Sequence, residues 1–196
     1  KGLNLSSANS ISIGRLIPQI IYYVFAYSKL VSDKIEFVVP CGNFGNVCAG
    51  IFAKEMGLPF NKFLVVNNMN DPVFKYFQTG VFRAQETVQT LSTAMDIGNP
   101  SNFVRVLKVF DNNYDEFRKV VEVVKVTDQE TIDTIKKVYE KYNYILDPHT
   151  AVAWNGAEKS AVLNYNKVIL STASPIKFAD VIRANTGIEI DDSVAI

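Results

Sequence analysis

The sequence predicts an α/β protein, a three-layer α/β/α arrangement built on a mainly parallel, doubly wound sheet. Three observations point there. Short runs of strand character at 35–39, 62–66, 123–126 and 167–170 alternate with longer stretches of helical periodicity. No hairpin signal joins neighbouring runs, so parallel strands with helical crossovers are expected. The run at 62–66 is continuously apolar after its first residue, as strands covered on both faces are.

In chain order, Ser6, Ser7, Ala8, Asn9 and Ser10 precede the first helix and supply capping candidates. That helix places Ile13, Leu16, Ile17, Ile20, Ile21, Val24 and Phe25 at helical spacing, a stripe expected to face the core. After the first strand, Pro40 and the loop Cys41-Gly42-Asn43-Phe44-Gly45-Asn46 lead into an apolar helix over 47–56, closed by Gly57-Leu58-Pro59. Asp71-Pro72 opens a helix that ends near Gly80. Residues 83–101 read as an irregular loop, and one this long inside a compact domain points to function. Helices are expected over 101–110 and 114–121. Thr127-Asp128-Gln129-Glu130 is a capping box ahead of Ile132, Ile135, Val138, Tyr139 and Tyr142. Asp147-Pro148 starts a further helix, and 176–185 is the last, stopped by Gly187. One domain over 1–196 is expected, with 1–10 leading into the first helix.

Composition excludes several classes. Twenty Lys plus Arg balance twenty Asp plus Glu, so neither nucleic acid nor an anionic membrane surface is an expected partner. The longest apolar stretch, 16–31, is broken by Pro18, Gln19, Ser28 and Lys29, which argues against a membrane span. The opening Lys1-Gly2-Leu3-Asn4 does not read as a signal peptide. Two cysteines and one histidine are too few ligands for a metal site. Cys41 and Cys48 read as reduced thiols of a cytoplasmic protein. Cys41, close to a helix start, is a candidate for a lowered pKa but not for a nucleophile.

The stretch 35–50 organises the rest: strand, glycine loop, helix. This arrangement points successive backbone N–H groups at an anion, and the helix dipole adds roughly half a positive charge there. Gly42 and Gly45 let the backbone approach a phosphate closely. The loop lacks G-x-G, and the next strand ends in Asn67-Asn68 rather than an acidic residue, which disfavours a dinucleotide. A Gly-Lys-Ser/Thr loop for ATP is absent as well. Sites in such sheets lie at the carboxyl ends of the strands, so loops 41–46, 67–71 and 171–174 are expected to open on one crevice. A non-catalytic α/β phosphate-binding module fits this much.

Five segments then add a family pattern. Ser7-Ala8-Asn9-Ser10-Ile11, Val39-Pro40-Cys41-Gly42-Asn43-Phe44-Gly45-Asn46, Leu91-Ser92-Thr93-Ala94-Met95-Asp96-Ile97, Asp147-Pro148-His149-Thr150-Ala151-Val152 and Thr172-Ala173-Ser174-Pro175-Ile176-Lys177-Phe178 occur in this order. Together, over about 3–187, the chain resembles the threonine synthase family, pyridoxal-phosphate (PLP) enzymes of the tryptophan-synthase-β fold type. The resemblance implies that Gly42, Asn43, Phe44, Gly45 and Asn46 hold the cofactor's phosphate through backbone amides. It implies that Thr172 meets the pyridine nitrogen, where many PLP enzymes use Asp. It implies that Ser6, Ser7, Asn9 and Arg15 grip the substrate's phosphate and that 93–99, Ala94 among them, line the pocket near the substrate. Asp96 is expected to organise backbone, and His149 to be a neutral, packed or hydrogen-bonding residue.

The implied reaction converts O-phospho-L-homoserine and water to L-threonine and phosphate. A related phospholyase, releasing a 2-oxo acid, is the alternative. Cys41 stands where Ser or Thr is usual, and Ser174 where His is frequent. The family's Schiff-base lysine lies in a Ser/Ala-Phe-Lys-Asp segment that this sequence lacks, and Lys177 matches a different family position. No catalytic residue and no metal are therefore assigned. The chain is expected to be the carboxyl-terminal, large-domain portion of a longer two-domain enzyme. It is expected to be inactive alone, to be completed by an amino-terminal part, and to expose an apolar surface open to self-association.

Overall fold

The computed structural model describes residues 9–30, 32, 34–162 and 164–190. Strands β1 (Ile35–Pro40), β2 (Lys62–Asn67), β3 (Val121–Lys125) and β4 (Asn166–Ile169) are all parallel, in the order β3-β2-β1-β4. Phe37 lies in register with Phe63 on one side and Val168 on the other. Because side chains alternate along a strand, Phe37, Val39, Phe63, Val65, Val121 and Val123 enter one core, while Val38, Leu64 and Val66 enter another. Over the first face lie α1 (Ile13–Ser28), α2 (Gly45–Glu55), α3 (Pro72–Thr79), α4 (Phe103–Val109) and α5 (Tyr114–Val120). Over the second lies α7 (Pro148–Lys159), with α6 (Asp128–Tyr142) and α8 (Ala179–Thr186) packed on it or beside it. The predicted three-layer α/β/α class is the one observed.

Local chemistry explains these elements. The capping box is complete: the Thr127 hydroxyl accepts the Glu130 N–H at 3.3 Å, and Glu130 accepts the Thr127 N–H at 2.9 Å. Tyr23, Phe37, Phe60 and Phe63 form an edge-to-face cluster, with centroids 4.9 Å apart for Tyr23–Phe37 and 4.8 Å for Phe60–Phe63. Such pairs contribute about 0.5–1.5 kcal/mol each beyond area burial. Gly156 lets α7 lie directly on β2, since a Cβ there would come within 2.4 Å of Val66.

Three expectations are corrected. β3 begins at Val121, directly after α5, and the last helix is preceded by a 3-10 turn, Pro175–Phe178. More consequentially, the apolar stripe of α1 is split. Leu16 and Tyr23 are buried and Ile20 is partly buried against the core, but Ile13, Ile17, Ile21 and Phe25 are 55, 57, 65 and 61% exposed. The helix is apolar around most of its circumference, so periodicity identifies a helix without identifying its inner face. Among the described residues, no helix is long and apolar enough to cross a membrane, and no group of three or more His, Cys, Asp or Glu is placed to hold a metal.

Candidate functional site

From β1 the chain steps outward through β2 to β3, then returns to lay β4 on the other side of β1. The strand order therefore reverses between β1 and β4, and the loops leaving their carboxyl ends diverge to open a crevice. A cavity of about 470 Å³ lies there, lined by Gln19, Tyr22, Asn46, Leu170, Ser171 and Thr172. A second, of about 200 Å³, runs along Gly42 to Asn46 and is walled by Ser10, Gln19 and Ala94. Gln19 and Asn46 belong to both.

The glycine loop is held from behind. The Cys41 N–H donates to the Val66 carbonyl at 3.0 Å, and the Asn67 side chain donates to the Cys41 carbonyl at 2.9 Å. Phe44 adopts a left-handed conformation (φ 63°) and buries its ring against Phe103, 5.2 Å away. That backbone state costs a non-glycine residue about 1–2 kcal/mol, which the buried ring offsets. Gly42 sits under the following loop: a Cβ would lie 2.7 Å from the Met95 Cα and 3.1 Å from the Ala94 carbonyl oxygen.

Among the described residues, the N–H groups of Gly42, Asn43, Gly45 and Asn46 have no protein acceptor. They lie at the start of α2, where backbone donors and the helix dipole favour an anion. The side chains of Asn43 and Asn46 are engaged in bracing. Asn43 donates to the Ser10 hydroxyl at 2.6 Å and accepts the Ser101 N–H at 2.6 Å, while Asn46 accepts the Tyr23 hydroxyl at 2.8 Å. The loop thus presents backbone to the crevice. Cys41 is buried, and burial pushes its thiol upward although the Phe44 and Val47 N–H groups face its sulfur. The expected lowering is therefore corrected. Burial likewise raises Cys48, to about 11.

At the other end, Thr172 is exposed just beyond β4, and among the described residues its hydroxyl makes no hydrogen bond. The loop after β2 behaves differently from the expectation that it opens on the crevice. Asn67, Asn68, Asn70 and Asp71 are all buried, and none lines either cavity. Asn68 donates to Thr90, Ser92 and Asp96, Asn70 donates to the Val88 carbonyl and Asp96, and Asp96 also accepts the Thr90 N–H. This network fixes the long irregular segment, whose one helical turn is the 3-10 stretch Thr93–Met95. Asp96 organises backbone there. The Ala94 N–H donates to His149 Nε2 at 3.1 Å.

Of the residues expected to grip substrate, Ser6 and Ser7 lie outside the described residues. Asn9 uses its Oδ1 to accept the Ile11 N–H at 3.0 Å, Arg15 lies on the exposed first turn of α1, and Ala94 forms cavity wall. Gln19 and Tyr22 line the crevice, and Ser10 and Asn67 brace its loop, though none was among the expected site residues. Gln19 carried a signal, a polar side chain set within the apolar run 16–25. Ser10 lies in a family segment, but its support of Asn43, 33 residues away, is not legible from it. No lysine lines either cavity.

A family profile described as "Pyridoxal-phosphate dependent enzyme" matches residues 17–174, and the chain belongs to that family. Within it, the similar proteins are threonine synthases. The chain is 37% identical over 193 residues to the Haemophilus influenzae threonine synthase, covering 97% of this chain and 45% of that protein. The crystal structure of threonine synthase from Escherichia coli matches with a TM-score of 0.89 at 34% identity, over 97% of this chain and 45% of that one. The PLP-bound threonine synthase from Brucella melitensis matches with a TM-score of 0.87 at 31% identity, over 95% and 46%. The chain spans less than half the length of these relatives.

Proposed function

We propose that this chain supplies the phosphate-binding and ring-nitrogen side of a threonine synthase active site. The enzyme, cytoplasmic on this reading, would convert O-phospho-L-homoserine and water to L-threonine and phosphate. One observation supports it most: at a single switch point, unpaired N–H groups at the start of α2 share a crevice with the free hydroxyl of Thr172. The residues fit PLP. Gly42 to Asn46 would donate backbone hydrogen bonds to its phosphate, and Thr172 would meet its pyridine nitrogen. When bound, PLP supplies the electron sink that stabilises negative charge beside the substrate amine. A hydroxyl at the ring nitrogen brings no charge to hold a proton there, which tempers that sink relative to a carboxylate and suits stepwise elimination and replacement.

On this reading Ala94 walls the substrate side, and Asn9 and Arg15, with Ser6 and Ser7, approach the substrate's phosphate. The lysine that anchors the cofactor belongs to an amino-terminal part of the same polypeptide, and the chain alone is inactive. That part also covers the outward face of α1, where four large apolar side chains at four-residue spacing face solvent. Sedimentation of the isolated chain would reveal self-association through that face. The test of function is product analysis with the full-length protein and O-phospho-L-homoserine. Equimolar L-threonine and phosphate are expected; a 2-oxo acid with phosphate would replace this reading with a phospholyase, and no phosphate release would refute both.

A further inference from the structure

Asp147 is 2% exposed at the N-cap of α7, where its Oδ1 accepts the N–H groups of His149 and Thr150 at 2.9 and 3.4 Å. An N-cap needs no more than that. Yet both carboxylate oxygens also take side chains: Oδ1 lies 2.9 Å from His149 Nδ1, and Oδ2 accepts the Thr150 hydroxyl. Each tethered side chain continues to a different end of the crevice. His149 is buried with its ring 4.9 Å from that of Phe178, and its Nε2 accepts the Ala94 N–H at 3.1 Å. The Ala94 carbonyl in turn lies over Gly42. The Thr150 hydroxyl lies 3.3 Å from that of Ser171, which lines the larger cavity beside Thr172.

The partners assign the protons. Because the Ala94 N–H is a donor, Nε2 carries a lone pair, and the imidazole proton sits on Nδ1 facing Asp147. The single Thr150 proton goes to Asp147, and the Ser171 hydroxyl stands 3.3 Å from the Thr150 oxygen.

We propose that Asp147 is a positioning residue that sets the two walls of the crevice together, the Ala94 wall through His149 and the Ser171–Thr172 wall through Thr150. Neither Asp147 nor His149 lines either of the two crevice cavities, so each acts on the crevice through other residues. Both arms need an acceptor, which a carboxylate provides on each oxygen. An amide keeps one and reverses the other. The functional meaning of this hub rests on the cofactor reading above; its geometry does not.

Amide hydrogen exchange at Ala94, followed by NMR in the full-length protein without cofactor, tests the first arm. His149→Leu should speed that exchange about tenfold, the scale of one lost hydrogen bond, and His149→Gln, which keeps an acceptor, should restore at least threefold of it. Asp147→Ser keeps a capping oxygen but releases the imidazole, so it should speed Ala94 exchange as His149→Leu does. Thr150→Val should leave Ala94 exchange unchanged and shift the absorption maximum of bound PLP, and Asp147→Asn should match it. If wild-type protein fails to bind PLP, the cofactor reading falls while the Ala94 measurement still decides the hub. Wild-type exchange at Ala94 in folded His149→Leu or Asp147→Ser overturns the proposal. Should Asp147→Ser not fold, failure of His149→Gln to restore any protection overturns it.

Discussion

The loops that leave β1 and β2 stand side by side and treat their polar groups in opposite ways. After β1, four backbone N–H groups beside the crevice have no protein acceptor among the described residues, and Gly42 and Gly45 keep the approach open. After β2, the side chains of Asn68, Asn70 and Asp71 are buried and bonded to the chain's own atoms. The first loop has donors left for a ligand, and the second holds the wall that shapes the first. In this fold, polarity alone does not mark a candidate binding loop. What marks it is the set of donors that folding leaves unpaired.

The largest expected effect comes from closing the open loop. In Gly42→Ala the new Cβ would fall 2.7 Å from the Met95 Cα, so backbone must shift. A loss of about 2 kcal/mol in stability, within the range for overpacking, should accompany a drop in PLP affinity of about 100-fold, roughly two to three lost hydrogen bonds. Thermal melting and PLP titration read the two. Retained affinity would remove the phosphate from this loop.

Perturbing the saturated loop should do the reverse, reducing stability and sparing binding. Burial alone would raise the Asp71 carboxyl, but hydrogen bonds from Lys75 at 2.8 Å and Lys125 at 2.9 Å outweigh it and hold it below the usual range. A lowered carboxylate contributes stability that is present above its unfolded pKa and is lost as pH falls through its folded one. Asp71→Asn should therefore cost about 1–3 kcal/mol at neutral pH. That difference should shrink in acid, below about 3.9, as Asp71 protonates. A difference independent of pH would show that the two lysines are not its source.

The amino-terminal end of β1 supplies a control of contrary sign. Glu36 is fully buried on β1 with Lys167 at 3.5 Å, and its Oε1 has no partner among the described residues. Burial raises its pKa, an effect that Lys167 and Ser160 only partly offset. A raised carboxyl contributes stability that is present below its unfolded pKa and is lost as pH rises through the folded one. Glu36→Gln should therefore be more stable than wild type at pH 8, by about 1 kcal/mol, with the gain disappearing toward pH 4. Chemical denaturation at the two pH values checks this. A loss at pH 8 would mean that the Lys167 pair is worth more than the desolvation.

The smallest stability effect belongs to Thr172. Its hydroxyl makes no hydrogen bond among the described residues, so Thr172→Val should leave melting within about 0.5 kcal/mol of wild type. The spectrum of bound PLP and turnover by the full-length enzyme should change. Unchanged turnover would take Thr172 out of the site.

Much of this was legible because the relevant forces are local. The alternation of strand and helix signals, the box at Thr127 and Glu130, and the small residues before α2 each act over a few residues. What stayed hidden depends on contacts distant in sequence. Which face of α1 meets the sheet is decided by Tyr23 packing on Phe37 and Phe63, not by the count of apolar positions. The inward role of 67–71 depends on partners at Cys41 and 88–96, and the two arms of Asp147 end 53 and 24 residues away, at Ala94 and Ser171. The pKa direction of Cys41 turned on burial, which helix position did not reveal.

The proposed function places the cofactor's phosphate at the loop after β1 and not at its neighbour after β2. Backbone amide shifts measured with pyridoxal phosphate and with pyridoxal separate the phosphate's effect from the ring's. The phosphate-dependent shifts should concentrate at Gly42, Asn43, Gly45 and Asn46, while 68–71 stay within their unliganded values. Phosphate-dependent shifts centred on 68–71, or absent from 42–46, would contradict it.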